Sequence, residues 1–135
     1  MIYLDSAAIV KLIRPEKETE ALHAWLTAEQ DKTLVASSLV ATEVPRALRR
    51  ADPGRLVAAP TILAKLNRVP IDDTVLATAA AYADPMLRTL DAIHLASAQT
   101  LVLEGVPLTA LVTYDLRLLA AAADAGLPTA APGAD

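Results

Sequence analysis

The chain opens with MIYLDSAAIVKL, residues 1–12, and the fold turns on how this stretch is divided. IYL, residues 2–4, reads as a short buried strand, and SAAIVKL, residues 6–12, as the start of a helix. Asp5 therefore stands at a turn between two apolar elements, where a bland loop residue would serve. Asp is common at turns and helix starts, so one acid there identifies nothing. Its meaning depends on whether other acids converge on the same place.

Working outward, the strand-then-helix pattern repeats. Apolar β-type runs fall at IYL (2–4), LVAS (34–37), VPI (69–71) and ALVT (110–113), with a weak PTAA at 128–131. Helical patterns cover roughly 7–13, 18–29, 38–50, 53–67, 73–83, 90–104 and 116–125. This alternation predicts an α/β domain whose four to five strands form a mostly parallel sheet covered by helices on both sides. The length of 135 residues fits one domain over residues 1–135, large enough to bury a core without disulfides or a structural metal. Asp52 followed by Pro53 reads as an N-cap with Pro at the first helical position, and Gly126 as a helix stop. Pro45 and Pro60 lie inside helical patterns, so a kink or break is expected at each. The APGAD tail is expected to fray.

Composition narrows the function. Hydrophobic residues make up 54% and charged residues 21%, as in globular proteins. Aromatics are only 3%, with no Phe, so the core must be aliphatic and base-stacking platforms are nearly excluded. Trp25, in an amphipathic helix, reads as packing or a partner surface. Cys is absent, which removes disulfides and thiolate metal sites and permits a reducing compartment. No signal peptide is evident, and Glu104, Gly105 and Pro107 break the longest apolar stretches. A cytoplasmic protein with no membrane segment is expected. The net charge of −4 and pI near 5.1 argue against a broad basic face for nucleic acid. Arg46, Arg49 and Arg50 are first a solvated face, and a local phosphate-binding rim second.

Active crevices of open parallel sheets lie outside the carboxyl ends of the strands, so the acids can be sorted by position. Glu16, Glu18, Glu20, Glu29, Asp31, Asp52, Asp84, Glu104, Asp124 and Asp135 fall on turns, caps and polar faces. Asp72 and Asp73 read as a helix N-cap pair. Four others differ. Asp5 closes the first strand, and Asp115 closes ALVTYD on the same rim. Glu43 lies in the first turns of the helix after the second strand, where its longer side chain can reach back. Asp91 opens the helix LDAIHLASA, with Thr89 as N-cap. Each has a structural explanation by itself, such as stabilising a helix dipole. Four carboxylates facing one crevice would repel by about 1 kcal/mol per close pair in water and roughly four times that in a partly buried site. Something cationic must compensate, and an all-oxygen set suits Mg²⁺ or Mn²⁺ rather than zinc.

Asp5 in YLDSAAIVKL, Glu43 in SSLVATEVPRALRR, Asp91 in LRTLDAIHLASA and Asp115 in LVTYDLRLLAAA occur in a particular order and spacing. Together they resemble the PIN-domain ribonucleases, most of all the VapC-type toxins of toxin–antitoxin pairs, over nearly the whole chain. The resemblance implies a three-layer α/β/α fold with strand order 3-2-1-4-5. It also implies a Mg²⁺-dependent endoribonuclease, with Mn²⁺ as a substitute, acting on single-stranded or loop RNA. The family's metal-binding acids carry over onto Asp5, Glu43, Asp91 and Asp115. Ser6 stands where relatives often have Thr, and Thr113 matches the hydroxyl residue before the fourth acid. Some PIN domains carry a further acid just after the fourth; here Leu116, Arg117 and Leu118 follow, which weakens the case for a tightly held second metal.

The mechanism expected from this set is hydrolysis by an activated water, with no nucleophilic side chain. Asp5 and Asp91 would hold the main ion, Asp115 and Glu43 would complete the site or orient the water, and products would carry 5′-phosphate and 3′-hydroxyl ends. Arg46, Arg49 and Arg117 are the candidate RNA contacts. His94 reads as a hydrogen-bonded structural histidine. A VapB-like antitoxin covering the crevice and a homodimeric active form are the expected partners. Four other readings compete: a non-toxin RNA-processing PIN nuclease, a receiver-like phosphotransfer domain, a haloacid-dehalogenase-like phosphatase, and a degenerate PIN domain used only for binding. The phosphotransfer and phosphatase folds usually place a second acid near the first-strand Asp, which DSAA lacks, and loss of one of the four acids would have favoured degeneracy.

Asp91 separates these readings. As a ligand in a like-charged cluster, Asp91→Asn should abolish cleavage while leaving the metal-free protein as stable as wild type or more so. As a helix-start acid only, it favours folding by about 0.3 to 1 kcal/mol, and the Asn variant should be slightly weaker and still cleave. Wild type should gain about 2.7 kcal/mol at a metal concentration 100-fold above its dissociation constant, and the variant much less. Thermal melts with and without metal, beside an RNA cleavage assay, decide between them.

Overall fold

The computed structural model describes residues 1–134; Asp135, grouped above with the solvated acids, lies outside the described residues. β1 (Ile2–Leu4) passes through Asp5 alone into α1 (Ser6–Ile13). There follow α2 (Thr19–Ala28), β2 (Leu34–Ser37), α3 (Val40–Ala51), a 3₁₀ segment (Pro53–Ala58), α4 (Ala59–Leu63) and β3 (Asn67–Val69). The second half contains α5 (Asp73–Ala81), α6 (Thr89–Leu103), β4 (Ala110–Val112), α7 (Leu116–Asp124) and β5 (Thr129–Ala130). All pairings are parallel, in the order β3-β2-β1-β4-β5. The expected three-layer α/β/α architecture and strand order are observed.

The layers follow from side-chain alternation along short strands, since successive residues of a strand face opposite sides. Ile2 and Leu4 of β1, Ala36 of β2 and Val112 of β4 face one side, packing with Ala8, Ile9, Val40, Val44 and Leu48 of α1 and α3. Tyr3, Val35 and Leu111 face the other, against Leu95 and Ala98 of α6 and Leu118 and Ala122 of α7. Every β1 residue is completely buried, as a central parallel strand requires. The register sets Leu4 opposite Val112, so β1 and β4 end level and deliver the residues after them to one rim. Trp25 packs against the first of these clusters, in keeping with a packing role. Among the described residues no helix is long and apolar enough to cross a membrane.

Several local expectations need correction. β3 is Asn67–Val69, not 69–71. Pro70 lacks an N–H and cannot continue a ladder, while the Val69 carbonyl accepts the Ser38 N–H at 2.9 Å. The edge strand is also mostly exposed, so it has little apolar signal. The pattern at 53–67 is not one helix: a 3₁₀ segment leads into α4, with Pro60 in its first turn where its missing N–H costs little. Pro45, by contrast, breaks nothing. α3 runs through it unbroken, and Ala41, the residue whose carbonyl loses its helical N–H partner, is exposed, so water can stand in for that partner. Asp52 makes no side-chain capping bond, its carboxylate lying instead 3.6 Å from Arg55 and 4.0 Å from Arg14. Arg88, rather than Thr89, is the N-cap residue of α6, which keeps Asp91 in the first turn. Gly126 ends α7 as expected, with φ +79°. The tail is fastened rather than frayed through residue 133: the Tyr114 hydroxyl donates to the Pro132 carbonyl at 2.9 Å, and Gly133 sits tightly against Ala21.

Candidate active site

The rim where β1 and β4 end together is built by helix-capping chemistry. Asp5, only 5% exposed, caps α1, its Oδ1 accepting the Ala8 N–H at 2.8 Å. Its Oδ2 accepts the Thr113 hydroxyl in a short hydrogen bond. The same Thr113 oxygen accepts the Asp115 N–H at 3.1 Å. Asp115 in turn caps α7, its Oδ1 accepting the N–H groups of Arg117 (2.9 Å) and Leu118 (3.1 Å). Thr113 thus fastens the first acid to the backbone of the fourth, and the turn geometry that made each acid look structural is also what aims it.

Asp91, in the first turn of α6, and Glu43, in the first turn of α3, come from the two sides of the sheet. All four acids line one cavity of about 380 Å³, together with Ser6, Ala7, Arg88, Thr89 and Leu90. The Glu43 Oε1 lies 2.7 Å from Nε2 of His94, whose ring is 1% exposed and whose Nδ1 meets the Tyr3 hydroxyl at 2.8 Å. His94 is the buried, hydrogen-bonded residue expected of it, but one of its partners is a site acid.

Sequence reasoning missed Arg88. Its Nη2 is 3.2 Å from Asp115 Oδ2 and its Nε 3.4 Å from Asp91 Oδ2. Among the described residues it is the one basic side chain lining this cavity. The only trace in the sequence is its place three residues before Asp91 at a helix start. The three arginines named as RNA contacts lie elsewhere: Arg46 and Arg49 line a shallow depression with Arg50, and Arg117, exposed, offers the site only its backbone N–H. A larger cavity of about 560 Å³ lies between β3, α5 and α6, away from the acids.

The electrostatics are those of crowded, partly desolvated carboxylates. Burial pushes the Asp5 carboxyl above its ordinary value, against the hydrogen bonds from Thr113 and Ala8; His94 also lowers it and Asp91 raises it. Burial first, and then the Asp115 charge, pushes Asp91 up, with Arg88 opposing. Whether a divalent ion fits can be judged from the donors. The set is all carboxylate, the chemistry of a hard cation, and a guanidinium already bridges Asp91 and Asp115. Among the described residues no three acidic or histidine groups are closed into a ligand shell, and Arg88 holds two of the acids. By donor chemistry the set would suit a hard divalent cation, with Asp5, Glu43, Asp91 and Asp115 as the residues that would hold it.

A pH test follows. A carboxyl whose folded pKa is raised adds stability that is fully present below its unfolded value, about 3.9 for Asp, and lost as pH rises through the folded value. In chelator, these groups should therefore make the wild-type urea midpoint rise as pH falls from neutral through their raised folded values towards the ordinary Asp value of about 3.9. Asp5→Asn should flatten that rise and be the more stable protein at neutral pH. A wild type most stable at pH 7, with a weaker Asn variant there, would contradict the crowding described.

Comparison with known proteins places this geometry. The PIN domain family model matches residues 2–124. Ribonuclease VapC35 of Mycobacterium tuberculosis is 50% identical over 133 residues, covering 98% of each chain. Ribonuclease VapC47 of the same organism is 41% identical over 137 residues (99% of this chain, 98% of the relative), and Ribonuclease VapC46 is 44% identical over 131 residues, 97% of each. No solved structure gives a significant match. With its sheet order, its rim of capped acids and a family match over nearly its whole length, the chain belongs to the PIN-domain family and, within it, to the VapC type.

Proposed function

We propose that this protein is a divalent-metal-dependent endoribonuclease, using Mg²⁺ or in its place Mn²⁺, and the toxin of a toxin–antitoxin pair. The observation that carries the reading is the single cavity lined by Asp5, Glu43, Asp91 and Asp115, drawn from four separate elements. The relatives named as ribonucleases match the full span that contains these residues. A receiver-like or phosphatase-like reading finds no second acid beside Asp5, whose neighbours are Ser6 and Ala7.

Asp5 and Asp91 are the principal ligands in this reading, with Asp115 and Glu43 completing the shell or orienting the attacking water. An ion held here supplies activation of water and neutralises charge on the leaving oxygen. Asp5 is fixed through both oxygens by Ala8 and Thr113, and each oxygen keeps a lone pair for the cavity. Asp115 uses Oδ1 on the start of α7 and leaves Oδ2 on the cavity side, where Arg88 now meets it. Displaced from the acids, the exposed guanidinium of Arg88 is left beside the strand to be cut, suited to grip a phosphate bidentately. The acids alone repel RNA, so binding depends on cations the site acquires. Arg46, Arg49 and Arg117 would act farther along the strand.

Leu90, which lines the cavity, and Leu116, which follows Asp115, are 47% and 80% exposed, an apolar fringe that suits cover by a VapB-like antitoxin. A homodimer in the cytoplasm completes the reading. The decisive experiment incubates purified, folded protein with total RNA, with and without Mg²⁺, and maps fragment ends. Metal-dependent cuts leaving 5′-phosphate and 3′-hydroxyl ends are expected. Absence of cuts by inhibitor-free protein would remove the enzyme reading, harmless expression without an antitoxin would count against a toxin, and a monomer in sedimentation at micromolar concentration would reject the dimer. Arg88→Gln should tighten Mn²⁺ binding about fivefold, the equivalent of ~1 kcal/mol of relieved competition, and raise KM for RNA. Unchanged metal affinity and KM would take Arg88 out of the site.

A further inference from the structure

The cavity explains the acids but not the buried polar chain behind one of them. Tyr3 is at the centre of β1, completely buried, in a chain whose core is otherwise aliphatic. Its hydroxyl oxygen accepts the Ser37 N–H at 3.1 Å, at the carboxyl end of β2. The same hydroxyl meets Nδ1 of His94 at 2.8 Å, with the two rings edge to face, and Nε2 of His94 meets Glu43 at 2.7 Å. No buried side-chain nitrogen or oxygen among the described residues lacks a partner. The Ser37 N–H accounts for a hydroxyl at position 3, but packing alone gives no reason for an imidazole at position 94 that joins that hydroxyl to a site acid.

The structure assigns His94 and Tyr3 as positioning residues for Glu43, a hydrogen-bonded relay that fixes the longest carboxylate side chain of the cavity; this rests on the metal-nuclease reading given above. A neutral imidazole has one donor and one acceptor nitrogen. An ionised carboxylate only accepts, so the 2.7 Å contact with Glu43 Oε1 calls for the ring hydrogen on Nε2. Nδ1 is then the acceptor, and the Tyr3 hydroxyl, while its oxygen accepts the Ser37 N–H, donates its own hydrogen there. Asp5 and Asp115 are held by backbone N–H groups of the helices they cap; Glu43, one methylene longer and within α3, has no such hold. Repulsion from the other three acids would turn it outward, and the Nε2–H donor keeps it in. His94 is also one turn beyond Asp91 on α6, so a single helix face sets Asp91 directly and Glu43 through the relay.

Two measurements test this. In metal-free wild type, ¹⁵N spectra of the imidazoles should show His94 fixed as the Nε2–H tautomer, distinct from exposed His23; an Nδ1–H tautomer, or averaging like that of His23, would overturn the relay whether or not the protein cleaves RNA. Next, Tyr3→Phe, His94→Gln and His94→Leu are compared in Mn²⁺-dependent thermal shifts and RNA kinetics. Tyr3→Phe keeps the core shape and so guards against loss of fold. Loss of the donor in His94→Leu should weaken Mn²⁺ binding and lower kcat by about ten- to a hundredfold with KM little changed. His94→Gln, whose amide nitrogen replaces Nε2, should recover most of it, and Tyr3→Phe should fall between. Folded variants with wild-type Mn²⁺ midpoint and kcat would reduce the relay to packing. If wild type itself neither binds Mn²⁺ nor cleaves, the nuclease reading fails and takes the relay's catalytic purpose with it, while the tautomer result still decides its geometry.

Discussion

Everything at the rim depends on holding the buried carboxylate of Asp5. A charge that is 5% exposed would normally be expelled or neutralised, and burial does raise its pKa. Two donors oppose this, the Ala8 N–H and the Thr113 hydroxyl. One arises from the strand-to-helix turn in local sequence; the other comes from the neighbouring strand, more than a hundred residues away. The pairing of β1 with β4 is therefore as much a part of the site as the acids are, because it brings Thr113 level with Asp5.

All four acids also belong to helix starts, Glu43 lying in the first turn of α3. Asp5 and Asp115 cap α1 and α7, and Asp91 lies in the first turn of α6. The unpaired N–H groups there carry partial positive charge, which offsets part of the mutual repulsion without occupying the cavity. Structural and chemical explanations of these acids are thus not rivals. A capping carboxylate has one oxygen committed to the backbone and the other aimed beyond the helix end, which is the orientation a ligand needs.

This is why the acids were legible in sequence while their partners were not. Apolar triplets ending in Asp reveal both a buried strand and the residue after it, and those signals are local. Arg88 showed only as a basic residue near a helix start, with nothing to indicate that its second partner would be Asp115. The contact between His94 and Glu43 spans 51 positions, and Tyr3 reads simply as core. β3 was misplaced by two residues because an exposed edge strand has no apolar pattern, and Pro45 misled because its cost depends on whether the carbonyl it abandons can reach water.

The β1–β4 register also governs when the cavity can exist. Asp5 and Thr113 are 108 positions apart, so closing that contact confines nearly the whole chain in one loop, a slow step in folding. During synthesis, Asp5, Glu43 and Asp91 emerge well before the strand that completes their surroundings. Until Thr113 and Asp115 are free to pair, the early acids have no common wall to face. A truncated or stalled chain consequently carries most of the acidic residues yet no assembled cavity, so whatever this centre does is confined to molecules whose translation has passed the fourth strand.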